Sequence, residues 1–256
     1  MTDWPDKMFE LIRFSGLNAR LTDLQEIVET EDWGYQNTST THHLPILYNY
    51  LNYTYSRLAE EDKLSVSGDG QHLTFNTGLV TSNQEPVFAF CTTNRNAEYP
   101  QQWLFKGWRR KGEYDMTHFD ELPGMAHYFA DHALLVLDHR LEVRSNIEHI
   151  VSENKSRFPA PFDTMSDYSL QTIVKGAIDN AIERVRRNYK TAIPQYHRGG
   201  IQLLLPLCLQ DPTTADIALV IQKHSSFYRA STCLTLDMAY SNARLLARPD
   251  KDWLLP

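Results

Sequence analysis

The chain has 256 residues, of which 42% are hydrophobic and 22% charged, so it is long enough to bury a core and its composition argues against a largely disordered protein. The formal net charge of −7 argues against a protein that coats long nucleic acid nonspecifically and against an anionic membrane surface as partner, so any nucleic-acid contact must come from a local patch. Three widely spaced cysteines without a CxxC pair argue against a disulfide framework and a structural zinc site, and the absence of a leader-like or membrane-spanning apolar run predicts a cytoplasmic protein.

The spacing of apolar residues near the N-terminus predicts a strand and two helices. Met8–Phe14 alternates in the manner of a strand. Asn18 is a candidate cap for a short helix that carries Leu21 and Leu24. After Pro45, apolar residues recur with a 3.6-residue period, and proline suits the first turn of the helix that this period predicts.

From residue 64 the apolar period changes to that of β-strands. Hairpins are expected around Ser67–Gly70 and around Ser82–Pro86, where turn-forming residues separate apolar segments. Further strands are predicted over Trp103–Trp108, Leu134–Leu137 and Leu141–Ile147.

The C-terminal part combines helices and apolar strands. Ser169–Lys190 carries a continuous apolar stripe and is the longest predicted helix. The strands Ile201–Leu209, Ile217–Gln222 and Thr232–Leu236 follow, and a short turn joins the first two as a hairpin. A final helix is predicted over Asp237–Ala247.

These elements together predict an α+β fold with a mixed or antiparallel sheet, a long amphipathic helix and a C-terminal helix. An N-terminal strand and helical segment, residues 1–62, is expected to pack on an α+β main domain formed by residues 63–256. The sequence carries no signature of an oligomeric state.

The final helix gathers polar residues on one face. A rotation of about 100° per residue places Asp237, Tyr240, Ser241 and Arg244 within roughly a third of its circumference. The simple alternative is a solvated face. Because Asp237 lies at the helix start, its carboxylate could cap amide groups, hold a metal ion or act as a base.

The end of the long helix and the following loop supply a second group of candidate ligand residues. Helical phase predicts that Arg184 and Asn188 face inward, and a buried guanidinium needs either a structural carboxylate or a ligand phosphate as partner. Lys190 points to solvent in the same phase and begins the loop, in which Gln195 and Tyr196 are further candidates for ligand contacts.

A third cluster lies between residues 149 and 159. If this segment is helical, His149 and Glu153 share a face, and Asn154 and Arg157 follow them closely. An imidazole and a carboxylate at this spacing can serve as acid and base, but they also form structural pairs.

The shared chemistry of these clusters points to a nucleotide-like ligand, because arginine binds phosphate and tyrosine stacks on bases. The first hypothesis is a phosphohydrolase that acts on a dinucleoside polyphosphate or a cap-like RNA 5′ end. In it His149, Glu153 and Asp237 act as base or metal ligands, with Mg²⁺ or Mn²⁺ as the expected ion, and the arginines hold phosphates. The alternatives are a non-catalytic module that binds an RNA end or a nucleotide, and a protein whose polar networks hold only its fold.

Four segments carry a resemblance to a known family. They are FNTGLVTSNQEPVFAF (Phe75–Phe90), HIVSENKSRFP (His149–Pro159), NYKTAIPQYHRGGIQLLLPLCL (Asn188–Leu209) and LTLDMAYSNARLLARPDKDWL (Leu234–Leu254). With them the chain resembles the domain of unknown function 3825 family over most of its length from about residue 10. Members occur in bacteria, some joined to cold-shock or LOTUS domains, so the resemblance implies a context of RNA or nucleotide metabolism. It implies no catalytic assignment.

Overall fold

Two five-stranded β-sheets organise the chain, and each lies in its own unit. The structure, a computed structural model, describes residues 4–36, 40–249 and 253–254. The first unit comprises Met1–Gly34 and Thr41–His127, and the second comprises Tyr35–Thr40 and Tyr128–Pro256. The predicted α+β class is confirmed.

The first unit combines three helices with a mixed sheet. Its elements are α1 (Met8–Leu11), α2 (Leu17–Ile27), α3 (Pro45–Glu60), β1 (Ile12–Arg13), β2 (Ser65–Val66), β3 (His72–Val80), β4 (Pro86–Thr93) and β5 (Trp103–Arg110). The strand order is β1-β5-β4-β3-β2, in which β1 runs parallel to β5 and the other neighbours are antiparallel. Both predicted hairpins are therefore confirmed. The predicted strand Met8–Phe14 is wrong in its first half, which is the short helix α1.

The core of the first unit lies between α3 and one face of its sheet. Pro45 occupies the start of α3, as predicted, and the helix buries Leu47, Leu51 and Tyr55. The Tyr55 ring meets Phe75 of β3 edge-on, with 5.8 Å between the ring centroids. Because α3 packs on β3, the boundary predicted between residues 62 and 63 falls inside this unit.

The second unit has the same number of strands and longer helices. Its elements are β6 (Glu142–Ser145), α4 (Ile147–Asn154), α5 (Asp167–Arg187), β7 (Ile193–His197), β8 (Gly200–Leu207), β9 (Ile217–Lys223), β10 (Phe227–Leu234) and α6 (Leu236–Arg244). The strand order is β6-β10-β9-β8-β7, with β6 parallel to β10 and the other pairs antiparallel, so the predicted β8–β9 hairpin is confirmed.

The core of the second unit lies between its sheet and the helices α4 and α5. Ser166 caps α5 by accepting a hydrogen bond from the amide of Ser169. From there α5 buries an apolar stripe that includes Leu170, Val174 and Ile178. Leu205 of β8 is fully buried in the same cluster. The apolar face of the helix and that of the strand therefore pack in one core.

Two secondary-structure predictions in the second unit are wrong. Leu134–Leu137 was expected as a strand, but His132–Leu135 forms a 3₁₀ turn, which Asp131 caps by accepting from the Ala133 amide. The loop expected after α5 contains β7, a strand at the edge of the sheet. Edge strands of this kind give weak sequence signals because their pairing depends on a partner elsewhere in the chain.

No helix in the described ranges is long and apolar enough to cross a membrane.

Gly78 provides a test of the first sheet. It lies in the irregular part of the β3–β4 ladder with φ of +73°, and a Cβ atom there would lie 2.6 Å from the Tyr50 hydroxyl. We expect Gly78→Ala to lower the free energy of unfolding by about 1–3 kcal/mol, because both the backbone conformation and the contact oppose a side chain. Urea denaturation measures this loss.

Gly112→Ala is the matched control, because it lacks a positive φ and no atom lies within 4 Å of the added Cβ. It should change the unfolding free energy by less than about 0.5 kcal/mol. Equal stability of the two variants would contradict the account of Gly78.

Candidate functional site

Asp237, Tyr240 and Ser241 on the polar face of α6 are buried, so the alternative of a solvated face is wrong. Thr235 caps the helix by accepting a hydrogen bond from the Met238 amide. Asp237 has no exposed surface, and its Oδ1 atom accepts a hydrogen bond of 2.9 Å from the Gln36 amide. The Tyr35 hydroxyl lies 3.4 Å from the Ser241 hydroxyl. Residues 35 and 36 therefore contact this face within the second unit.

The other members of that face are also enclosed. Tyr240 is 4% exposed, and Arg244, one turn further on, is partly buried. In this arrangement Asp237 and Tyr240 are turned towards protein groups, and a ligand would reach them only after those groups moved. Their roles as base and ligand contact stay predictions.

Asn154 and Arg157 form a network with β10. Asn154 is 2% exposed, and its Oδ1 atom accepts hydrogen bonds from Arg157 Nη1 at 2.7 Å and from the Thr232 hydroxyl at 2.7 Å. Arg157 Nη1 also donates to the Cys233 carbonyl at 2.7 Å. Burial raises the pKa of the Cys233 thiol to about 12, so this thiol is neutral. The network joins the end of α4 to β10, which is a structural task.

His149 and Glu153 lie on the exposed side of α4. Asn146 caps this helix by accepting from the His149 amide at 3.2 Å, which fixes the helical phase. Both side chains are exposed, whereas Ile150 and Val151 face the core. The structure therefore confirms the helix and leaves the imidazole and the carboxylate accessible to solvent.

Arg184 binds protein groups at the turn between β8 and β9. Its guanidinium donates to Cys208 Sγ at 3.3 Å and to the Pro212 carbonyl. Burial raises the pKa of the Cys208 thiol, although the Arg184 charge opposes that effect. Arg157 meets β10 and Arg184 meets the end of β8, and β9 separates those strands, so the two guanidinium groups have different surroundings.

Asn188 does not face inward with Arg184, so that prediction is wrong. The helix α5 ends at Arg187, and Asn188 is extended with φ of −142°, so the helical phase cannot be carried to it. Its side chain is exposed and accepts from the Lys190 amide at 3.1 Å, which caps a short 3₁₀ turn. Lys190 is exposed as well.

Gln195 is enclosed between β8 and α6. It is 1% exposed, its amide nitrogen donates to Gln202 at 2.9 Å, and its amide oxygen accepts from Asn242 at 3.1 Å. Tyr196 points to the other side of β7 and packs edge-on against Tyr128, with 4.7 Å between the ring centroids. Beyond it, partial desolvation lowers the pKa of His197, and the charge of Arg198 acts in the same direction.

Two predicted residues line cavities: Arg184 lines one of about 140 Å³ beside the β8–β9 turn, and Lys190 lines another. The Lys190 cavity, here called the α6–β7 groove, has a volume of about 250 Å³. Its floor is apolar and comes from the start of β7 and the end of α6, with Ile193, Pro194, Ala243 and Leu246.

The rim of the α6–β7 groove is aromatic and cationic. Tyr189, which is 63% exposed, and Lys190 stand on one side, and Arg248 contributes a second cation. Among the described residues that line the groove, none carries a carboxylate. This combination suits a flat, partly apolar molecule with negative charge.

Sequence reasoning missed several of these residues. Tyr189 lies in the last turn of the predicted helix Ser169–Lys190, and Arg248 follows the predicted final helix. They could have been noticed as an aromatic and a basic residue next to Lys190 and Pro249. The contact of Tyr35 and Gln36 with α6 has no sequence signal, because 201 positions separate Gln36 from Asp237.

Within the described ranges, no group of three or more His, Cys, Asp or Glu side chains is arranged to hold a metal ion. The expected Mg²⁺ or Mn²⁺ therefore stays a prediction.

Replacing Arg157 tests whether its role is structural. We expect Arg157→Ala to lower the free energy of unfolding by about 2–3 kcal/mol, because it removes a charged donor from Asn154 and the Cys233 carbonyl. Thermal and urea denaturation measure this loss. Arg229→Ala, an exposed arginine of β10, is the control and should cost less than about 0.5 kcal/mol. If Arg157→Ala is as stable as the wild-type protein but no longer binds nucleotides, Arg157 binds a ligand phosphate, as the sequence predicts.

The comparisons with known proteins give one match. No curated protein and no solved structure matches the chain. The family model described as a domain of unknown function (DUF3825) matches residues 24–253. This match covers most of both units, and the chain therefore belongs to the domain of unknown function 3825 family.

Proposed function

We propose that this protein binds a nucleotide or the terminal nucleotide of an RNA in the α6–β7 groove. The observation that carries the proposal is the composition of the groove: an apolar floor, one exposed tyrosine, two cations and no carboxylate among the described lining residues. A base can lie on the floor beside Tyr189, and Lys190 and Arg248 can reach its phosphate.

The size of the groove favours one nucleotide over two. Its volume of about 250 Å³ lies just below the roughly 300–1,000 Å³ of typical small-molecule sites. A dinucleoside polyphosphate would place its second base outside the groove. A mononucleotide or the end of a strand is therefore the better ligand.

Stacking on Tyr189 is the first test. Tyr189→Ala should weaken the binding of AMP by about five- to 150-fold, because an aromatic ring stacked on a base contributes about 1–3 kcal/mol. Isothermal titration calorimetry measures the affinity. Tyr168→Ala is the matched control, because Tyr168 is 81% exposed at the start of α5 and does not line the groove. Equal effects of the two variants would contradict the proposal.

The phosphate contact is tested by comparing AMP with adenosine. The wild-type protein should prefer AMP, because adenosine has no charge for Arg248 to bind. In Arg248→Ala this preference should shrink by about tenfold, while the affinity for adenosine stays the same. If Arg248→Ala keeps the wild-type preference for AMP over adenosine, Arg248 does not bind the phosphate.

Phosphohydrolysis is the second candidate function. The observation that favours it is the accessible pair His149 and Glu153, which share the exposed side of α4. Neither lines the α6–β7 groove, so binding is the function that the geometry supports better. Asp237 would contribute only if the groups around it moved.

Hydrolysis is tested with purified protein and a panel of mononucleotides, dinucleoside polyphosphates and capped RNA, with and without Mg²⁺ or Mn²⁺. If the pair is catalytic, Glu153→Gln should lower turnover by about 100-fold or more, and Glu148→Gln, exposed on the same helix, should not. Product separation by chromatography measures turnover. Binding without product from any substrate would leave the binding module as the function.

A further inference from the structure

The first unit carries a second groove, on the face of its sheet that points away from α3. Leu73 and Phe75 of β3 are buried on one face of the sheet. Because side chains alternate along a strand, His72 lies on the opposite face. His72 pairs in register with Thr92 of β4, and Thr92 pairs with Leu104 of β5, so the three residues form a row across the sheet. These residues line a cavity of about 460 Å³, here called the sheet groove.

The lining of the sheet groove is cationic and rich in amides. Arg95 and Lys106 supply two full positive charges, and the side-chain amides come from Gln71, Asn94 and Asn96. Among the described residues that line it, none carries a carboxylate. A site of this composition favours an anion that also offers hydrogen-bonding groups.

The two cations are not used by the fold. Arg95 and Lys106 are exposed, and within the described ranges neither forms an ion pair. Arg109 on the same sheet differs, because its Nε atom lies 2.6 Å from an Asp115 oxygen and 3.7 Å from a Glu113 oxygen.

Two carboxylates accept hydrogen bonds from residues that line the sheet groove. Asp69 accepts hydrogen bonds from the Ser67 hydroxyl at 2.5 Å and from the Gln71 amide at 3.0 Å. Glu98 accepts from the Asn96 side chain at 3.4 Å. Asp69 also lies 3.6 Å from the Nδ1 atom of His72, and within the described ranges neither carboxylate forms an ion pair with Arg95 or Lys106. Both cations are therefore available to a ligand.

A flat stacking surface adjoins these cations. The rings of His72 and His118 are nearly parallel, with 4.0 Å between their centroids, and Phe90 stacks on His72 at 5.4 Å. His118 is exposed, and the Tyr114 ring meets it edge-on with 6.2 Å between the ring centroids. Aromatic platforms beside cations are the common means by which proteins bind single strands.

We propose that the sheet groove binds a short stretch of single-stranded nucleic acid. Arg95 and Lys106 contact successive phosphates, the side-chain amide of Gln71 meets a sugar or base edge, and a base stacks on His118. The amides of Asn94 and Asn96 hold the loop beside them through hydrogen bonds to Gln101 and Glu98. The volume of the groove exceeds that of the α6–β7 groove, which suits more than one nucleotide. The site lies in the other unit and does not depend on the proposed function above.

The test measures the anisotropy of a single-stranded RNA decamer that carries fluorescein at its 5′ end and a blocked 3′ end. The Tyr189→Ala background is used throughout, so that binding of a strand end in the second unit does not contribute. Lys106→Glu and Arg95→Glu should each weaken binding at least tenfold. Lys111→Glu makes the same charge change outside the groove, at an exposed position, and should change affinity less than twofold.

Salt dependence and competition complete the experiment. For single strands, each phosphate contact contributes about −0.7 to the slope of log K against the logarithm of the salt concentration. The Arg95→Ala/Lys106→Ala variant lacks two contacts, so its slope should be less steep than that of the parent protein by about 1.4. Excess inorganic phosphate or AMP should displace the decamer poorly. No decamer binding, equal effects of Lys106→Glu and Lys111→Glu, or equal potency of AMP and the decamer would each overturn the proposal.

Discussion

A carboxylate without exposed surface must be hydrogen-bonded, and the burial of Asp237 at the start of α6 is the constraint on which the second unit depends. The Gln36 amide meets this requirement, and Tyr35 approaches Ser241 on the same helix face. These contacts explain why Tyr35 and Gln36 belong to the second unit although the first unit surrounds them in sequence. With the polar face covered in this way, Ala243 of α6 and Leu246 of the turn after it line the groove.

The same physical rule governs the other polar clusters of the second unit. Asn154 and Arg157 satisfy each other and β10, and Gln195 satisfies Asn242 and Gln202. Such networks specify one arrangement of helices and strands, since a partly satisfied network is costly. Arginine and asparagine often bind nucleotides, but Arg157 and Asn154 hold α4 and β10 together here. The exposed residues Tyr189 and Lys190 line the α6–β7 groove instead.

Periodicity predicted much of the fold because most elements bury one regular face. The stripe of α5, the α3 helix after Pro45 and the three hairpins were all predicted from spacing. The edge strand β7 was missed because its pairing with β8 follows from tertiary structure. Asn188 was misplaced because the helix ends one residue before it, and a phase argument holds only inside a helix.

The candidate site was less predictable for a related reason. Sequence spacing showed that Asp237 and Tyr240 share a face, but it could not show that residues 35 and 36 cover that face. Likewise, a structural carboxylate or a ligand phosphate is the partner that spacing predicts for Arg184, but Cys208 Sγ and the Pro212 carbonyl bind its guanidinium. A main-chain carbonyl also binds Arg157, which the sequence predicted as a phosphate ligand. The α6–β7 groove emerges only once β7 and α6 are placed side by side.

The most direct test of this account is an NMR titration of the isotope-labelled protein with AMP. If the α6–β7 groove is the nucleotide site, the largest amide shifts should fall in residues 189–194 and 243–248, on the two sides of the groove. The shifts should saturate together and disappear in Tyr189→Ala. Saturating shifts confined to the first unit, or the absence of any shift, would contradict it.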